Sequence, residues 1–250
     1  MNNADHARLA QVEDSLWHFV TLHGHVRRGL LRVGWNGSGR LLDAGCGTGG
    51  LLRRLGEWFP SAELEGIDFS PFAVELAARR TGRPIHQGSL MALPFADATF
   101  DAITCIDVVT QFDDPLAAYR ELARCLRSGG VLVINEPAHR WLWSYHDQQL
   151  GAKQRFVRAD IVRLVREAGV QPKWSTHWNC LALPLVWLRR RFFPAPETSD
   201  VRPYPVWISG PMRVLHGLER LWLSTGAGFP CGTSVFAVGV KMEPGGGAKS

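Results

Sequence analysis

The residues Asp43-Ala-Gly45-Cys46-Gly47-Thr48-Gly49 carry the most specific chemical signal in this 250-residue chain. An acid is followed by three glycines at alternate positions. Leu41 and Leu42 before them read as a short apolar strand, and Leu51 and Leu52 after them open an apolar helix. Glycines let the backbone approach a ligand closely, and the first N–H groups of the helix face a negative group. The spacing is Gly-X-Gly-X-Gly, whereas dinucleotide-binding turns use Gly-X-Gly-X-X-Gly, which disfavours a nicotinamide oxidoreductase. About twenty residues on, Leu64-Glu-Gly-Ile-Asp68 reads as a second strand ending in an acid. An acid there suits ribose hydroxyls. Ser70 or Asp68 could also cap the helix that Pro71 begins, and one residue can cap while the other binds.

These residues need a parallel sheet to hold them. Two further blocks, within 88–112 and 126–137, each place a turn before a β-rich apolar run. Helical patterns over 71–80 and 115–127 alternate with the strands, which predicts a mostly parallel α/β sheet.

In this order, the four blocks resemble the class I S-adenosylmethionine (SAM) dependent methyltransferases. Asp43–Gly49 is similar to their first motif, and Asp68 to the acid after strand two. Leu93-Pro-Phe-Ala-Asp-Ala-Thr-Phe-Asp101 resembles their L-P-F-x-D-x-S-F-D segment, and Leu126-Arg-Ser-Gly-Gly the turn before strand five. The resemblance covers residues 40 to 180, approximately. It implies a Rossmann-like, doubly wound, seven-stranded sheet of order 3-2-1-4-5-7-6, with the last strand antiparallel. It also implies SAM as cofactor and no metal. Gly45, Cys46, Gly47 and Gly49 would line the methionine part, with Asp43 near its amino group. Asp68 would hold the ribose diol, Phe69 would pack on adenine, and Ile106 would complete the pocket. Ser89 stands where relatives often carry Asp, so Ser89 or the Leu90 N–H would serve adenine. Gln111 replaces a common His.

Composition sets the outer bounds. The chain is 46% hydrophobic and 20% charged, as expected of a globular protein with a real core. A net charge of +5 permits anionic partners without establishing them, and no nucleic-acid motif is present. Five cysteines without C-x-x-C spacing suggest neither zinc nor disulfides. The first residues lack the basic and apolar regions of a signal peptide, which makes cytoplasm the expected compartment.

The flanks should supply the acceptor site. Residues 1–35 read as a helical cover, core residues occupy 36–178, a helical insertion spans 179–232, a last strand 233–242, and a disordered tail 243–250. Leu16-Trp17-His18-Phe19 resembles the aromatic cluster that relatives place over the SAM pocket. His18, His23 and His25 are expected at the surface or in caps. After strand five, Leu142-Trp-Ser-Tyr-His-Asp147, Gly151, Arg155 and Phe156 resemble a methyltransferase subgroup with L-W-S-x-H-D, although Ala152 replaces its second His. His146, with Asp147 next to it, is the leading general-base candidate, and holding the loop is its alternative role. Tyr145 is a second catalytic candidate. Trp17, His139, Trp143 and Trp178 are expected against substrate. The insertion, with Arg189-Arg-Arg191 and prolines 194, 196, 203 and 205, could be a cap, a dimer interface or a membrane-surface helix. Either a monomer or a homodimer fits.

The reading expected is therefore a SAM-dependent methyltransferase acting on oxygen, carbon or nitrogen of a small hydrophobic acceptor. A methyltransferase-fold enzyme that binds SAM and catalyses cyclisation or rearrangement is the alternative. A non-catalytic binding module is a distant third.

Overall fold

The apolar residues of a strand buried on both faces must alternate between two cores, and here they do. Leu41, Ala102 and Val133 enter one cluster, while their neighbours Leu42, Ile103 and Leu132 enter the other. The computed structural model describes residues 3–193 and 203–243. Its sheet contains β1 (Gly39–Ala44), β2 (Ala62–Asp68), β3 (Ile85–Gln87), β4 (Phe100–Ile106), β5 (Leu126–Pro137), β6 (Val170–Trp178) and β7 (Ser234–Lys241). The order is β3-β2-β1-β4-β5-β7-β6, and β7 runs antiparallel to both neighbours. This is the Rossmann-like arrangement expected.

Helices cover both faces. α5 (Pro115–Cys125) and α7 (Arg158–Glu167) bury Tyr119, Leu122, Ile161 and Leu164 on one side. On the other, α2 (Trp17–Arg32) and α3 (Gly50–Trp58) bury Leu22, Val26, Leu30, Leu52 and Leu55. α1 (Asn3–Val12) precedes them, and α4 (Pro71–Thr81) follows β2 with Ser70 as its N-cap. The helical cover is thus two helices, broken at residues 13–16.

In the insertion, Asn179 adopts a left-handed φ of 56° before α8 (Leu183–Phe192) begins. α9 (Val206–Ser224) follows and carries Pro211 inside it. α9 packs against α2. Pro194, Pro196 and the expected tail from 244 onward lie outside the described residues. Among the described residues, no helix is long and apolar enough to cross a membrane.

Candidate active site

The glycine turn is tied to the neighbouring strand. Gly45 and Cys46 N–H both donate to the Ile67 carbonyl, at 2.8 and 3.0 Å. Asp68, at the end of β2, uses one oxygen to accept from Gly47 N–H at 2.9 Å and the other to accept from Ser70 N–H at 2.9 Å. Ser70 meanwhile caps α4 by accepting from Ala73 N–H at 3.3 Å. Gly45, Gly47 and Gly49 all have positive φ. A Cβ on Gly45 would collide with Val108, and one on Gly49 would crowd Ala77 and Thr81. A Cβ on Gly47 would meet nothing within 4 Å, so the loop is open on that side. Phe69, 78% exposed, follows Asp68.

Beneath the turn, Asp43 is buried and accepts from the Thr104 hydroxyl at 2.7 Å. Burial pushes its pKa up to about 7; the Thr104 hydrogen bond opposes this, and the Asp68 and Glu13 carboxylates add to it. Cys46 is a buried thiol held well above its ordinary range, also by burial. Leu90 is buried, and Ile106 is half-buried at the end of β4. The Ser89 hydroxyl accepts from Met91 N–H at 3.2 Å, so it braces its own turn.

One partner of the loop escaped sequence reading. Glu13, between α1 and α2, accepts from the Thr48 hydroxyl at 2.6 Å and pairs with Arg80, which also donates to the Thr48 carbonyl at 2.7 Å. Asp14 adds ion pairs to Arg53 at 2.6 Å and Arg80 at 3.2 Å. A Cβ on Gly50 would strike the Glu13 carboxylate, so the fourth glycine of the run was the available signal.

At the carboxyl ends of β4, β5 and β6, the chain turns through Asp107, His139 and Asn179, with φ of 59°, 59° and 56°. Left-handed non-glycine residues are strained, and they concentrate at functional sites. Asp107 accepts from Asn135 Nδ2 at 2.7 Å, and Asn135 Oδ1 accepts from Trp178 Nε1 at 2.6 Å. Trp178 stacks on His18 with centroids 4.9 Å apart. Burial, reinforced by His216, His146 and Arg190, lowers the His18 pKa to about 3, so the ring is neutral. Trp178 thus stacks on His18, and His146 lies within electrostatic range of the same ring. Trp178 itself is fully buried.

The other expected residues disperse. Trp17 lies against Tyr204 at 5.0 Å, Trp143 is 37% exposed, and Tyr145 is half-buried. His139 stacks on His177 at 4.9 Å, and its Nε2 lies 3.4 Å from the Cys231 thiol. His23 and His25 are buried in place of the expected surface or capping positions, with pKa values lowered by burial to about 4 and about 3. His25 packs against Trp178 and Phe236 of the sheet, whereas His23 lies near Phe19.

The L-W-S-x-H-D segment builds a loop. Asp147 is buried and accepts from Arg155 at 2.8 and 3.0 Å and from Ser144 N–H at 2.9 Å, starting α6 (Tyr145–Gln149). Arg155 also donates to the Ala138 carbonyl at 2.8 Å, and Phe156 is in the core. Gly151 takes φ of 70° just after the helix. Arg155 and Ser144 thus engage both oxygens of Asp147, the acid next to His146. Among the described residues, no group of three or more His, Cys, Asp or Glu is placed to hold a metal ion.

A methyltransferase-domain family profile matches residues 42–134. Demethylmenaquinone methyltransferase of Roseiflexus castenholzii is 35% identical over 138 residues, 48% of this chain and 56% of that protein. The chain thus spans little more than half the length of this relative. The proposed methyltransferase partner of the Haloferax volcanii Trm112 activator superposes with a TM-score of 0.65 at 21% identity, covering 96% of both chains. Geranyl diphosphate C-methyltransferase of Streptomyces coelicolor, solved with Mg2+, geranyl diphosphate and S-adenosyl-L-homocysteine, gives 0.60 at 15% identity, covering 88% of this chain and 77% of that one. In sheet order, glycine turn and these relatives together, the chain is similar to the class I SAM-dependent methyltransferases, with residues 42–134 matching their domain profile.

Proposed function

We propose that this protein transfers a methyl group from SAM to a small lipophilic acceptor. The observation that carries this reading is the Asp68 carboxylate, which ties the glycine turn to β2 beside the open side of Gly47 and exposed Phe69. The residues present fit the cofactor. Asp68 would hold the ribose diol, Phe69 would cover adenine with Ser89 or the Leu90 N–H serving it, and Gly45, Cys46, Gly47, Gly49 and Ile106 would line the methionine part. Asp43 would face the amino group, where a buried carboxyl of raised pKa regains its charge beside a cation. When bound, SAM supplies an electrophilic methyl on a sulfonium. The chain's own residues orient the acceptor in line and exclude water.

The acceptor would enter over His18, beside Trp178 and His146. The name of the Roseiflexus relative supports a quinone-type acceptor. The test is incubation with SAM and a panel of reduced demethylmenaquinone, 1,4-dihydroxynaphthalene and simple phenols, with S-adenosylhomocysteine as readout. Tight SAM binding with no product across the panel would favour the cyclisation reading, which no observation on the described residues supports over transfer.

We further propose that the insertion rests on a membrane surface, from which a lipophilic acceptor is drawn. α8 has no buried residue and no acid, and it ends in Arg189, Arg190 and Arg191. Leu185, Trp187 and Phe192 are exposed on it, as are Trp207, Leu221 and Trp222 on α9. Exposed Trp and Phe beside Arg suit an anionic interface. Co-sedimentation with phosphatidylglycerol vesicles tests this. Binding should fall for Trp187→Ser with Trp207→Ser, whereas a dimer that dissociates in that double variant would assign the face to a second copy.

A further inference from the structure

We propose that Asp107 is the general base that takes the proton from the methyl acceptor, whose reactive group is therefore an acidic hydroxyl of phenol, quinol or enol type. The inference rests on the methyl-transfer reading above.

Asp107 stands one residue past β4, at the carboxyl end where open α/β sheets bind ligands. The next residue, Val108, packs against Gly45, so Asp107 borders the glycine turn directly. Its backbone is held at φ 59° by the Asp107 N–H donating to the Asn135 carbonyl at 2.7 Å. Its Oδ1 is held by Asn135 Nδ2. The described residues place no donor on Oδ2, and the residue is half-buried, so one carboxylate oxygen is oriented yet left for a ligand. Asn135 is completely buried and is itself fixed by Trp178, under the His18 ring. One polar chain thus links the base to the recess proposed for the acceptor.

The competing carboxylates nearby are already committed. Glu136, wholly buried, accepts from Val109 and Thr110 N–H at 2.9 and 3.1 Å. Asp147 is held by Arg155 and Ser144. The charged and titratable groups facing Asp107 are Arg155, Glu136 and the Cys105 thiol. Burial raises the Asp107 pKa to about 6 against the pull of Asn135 and Arg155, so it is ionised at neutral pH and basic enough to accept a hydroxyl proton in the transition state.

The step balances. Oδ2 takes the hydroxyl proton while the acceptor's oxygen, or the ring carbon activated by it, forms a bond to the methyl carbon. The methyl–sulfur bond breaks with its electron pair going to sulfur, which leaves a neutral thioether. Asp107 then releases the proton to solvent.

Asp107→Asn and Asp107→Gly test this on the full chain with the acceptor panel, and glycine accepts the positive φ. Both should lower kcat by about 100-fold or more while the Kd for S-adenosylhomocysteine, measured by calorimetry, stays within about twofold. Formate should restore activity to Asp107→Gly by about tenfold or more, because it replaces the lost carboxylate. An infrared carboxylic-acid band titrating near pH 6 should vanish in Asp107→Asn. Retention of kcat within about threefold, a parallel loss of S-adenosylhomocysteine affinity, or failure of formate to rescue would each overturn the assignment. Wild-type protein that binds SAM and turns over no acceptor would overturn the transfer reading, and the base with it.

Discussion

With Asp43 proposed to face the SAM amino group, SAM binding should depend on pH. Its carboxyl is buried, accepts one hydrogen bond from Thr104, and faces the Asp68 and Glu13 carboxylates. Its pKa is raised from 3.8 to about 7, so in the free protein it is mostly protonated below neutrality. An ammonium group beside it would draw the pKa back towards the ordinary range, and binding would then expel a proton. Affinity should therefore rise with pH up to 7 and level off above it. If the bound form stays ionised throughout, Kd falls about 15-fold between pH 5.5 and pH 7. The window must stop there, since the free α-amino group of SAM begins to lose its own proton near about 7.7. Calorimetry at pH 6 in two buffers of different ionisation enthalpy should report release of close to one proton. Asp43→Asn keeps the acceptor for Thr104 and should abolish the release. The same variant gains stability at high pH. A folded-state pKa above the unfolded value means that the wild type loses stability as pH rises from 3.8 to about 7. At about 1.4 kcal/mol per pH unit, the Asn variant should gain at most roughly 4 kcal/mol by pH 8. A Kd independent of pH from 5.5 to 7, or unchanged proton release in Asp43→Asn, would refute the reasoning.

Other perturbations separate the cradle from its supports. Asp68→Ala removes an anionic acceptor and should weaken SAM binding by about 1–3 kcal/mol, measured by calorimetry; unchanged affinity would refute the ribose assignment. Gly47→Ala meets open space, so it should cost about 1–2 kcal/mol from its positive φ and lower SAM affinity. Gly45→Ala adds a collision with Val108 to a similar backbone cost and should lower Tm further than Gly47→Ala does. Trp178→Phe leaves Asn135 Oδ1 buried without its donor and should cost about 1–3 kcal/mol in chemical denaturation.

Local signals were legible. The glycine turn, Asp68, Ser70 as N-cap and the alternation of strands with helices depend on neighbours within a few residues, and the observed sheet order follows from them together with the family resemblance. Asp107 was not legible as a site, because its meaning comes from Asn135, 28 residues away, and from Trp178, 43 residues beyond that. Glu13 was hidden for the same reason, since Thr48 lies 35 residues on. The role of Asp147 was not legible from adjacency, because its partner Arg155 lies eight residues on. His23 and His25 looked polar in the sequence, yet α2 turns them into the interior as neutral rings.

Transfer of labelled methyl from SAM to a reduced demethylmenaquinone or dihydroxynaphthalene, followed by mass spectrometry of both products, tests the central claim most directly. The account predicts one S-adenosylhomocysteine per methylated acceptor, with the yield collapsing in Asp68→Ala at limiting SAM. Tight SAM binding with no methylated acceptor and no S-adenosylhomocysteine would contradict it.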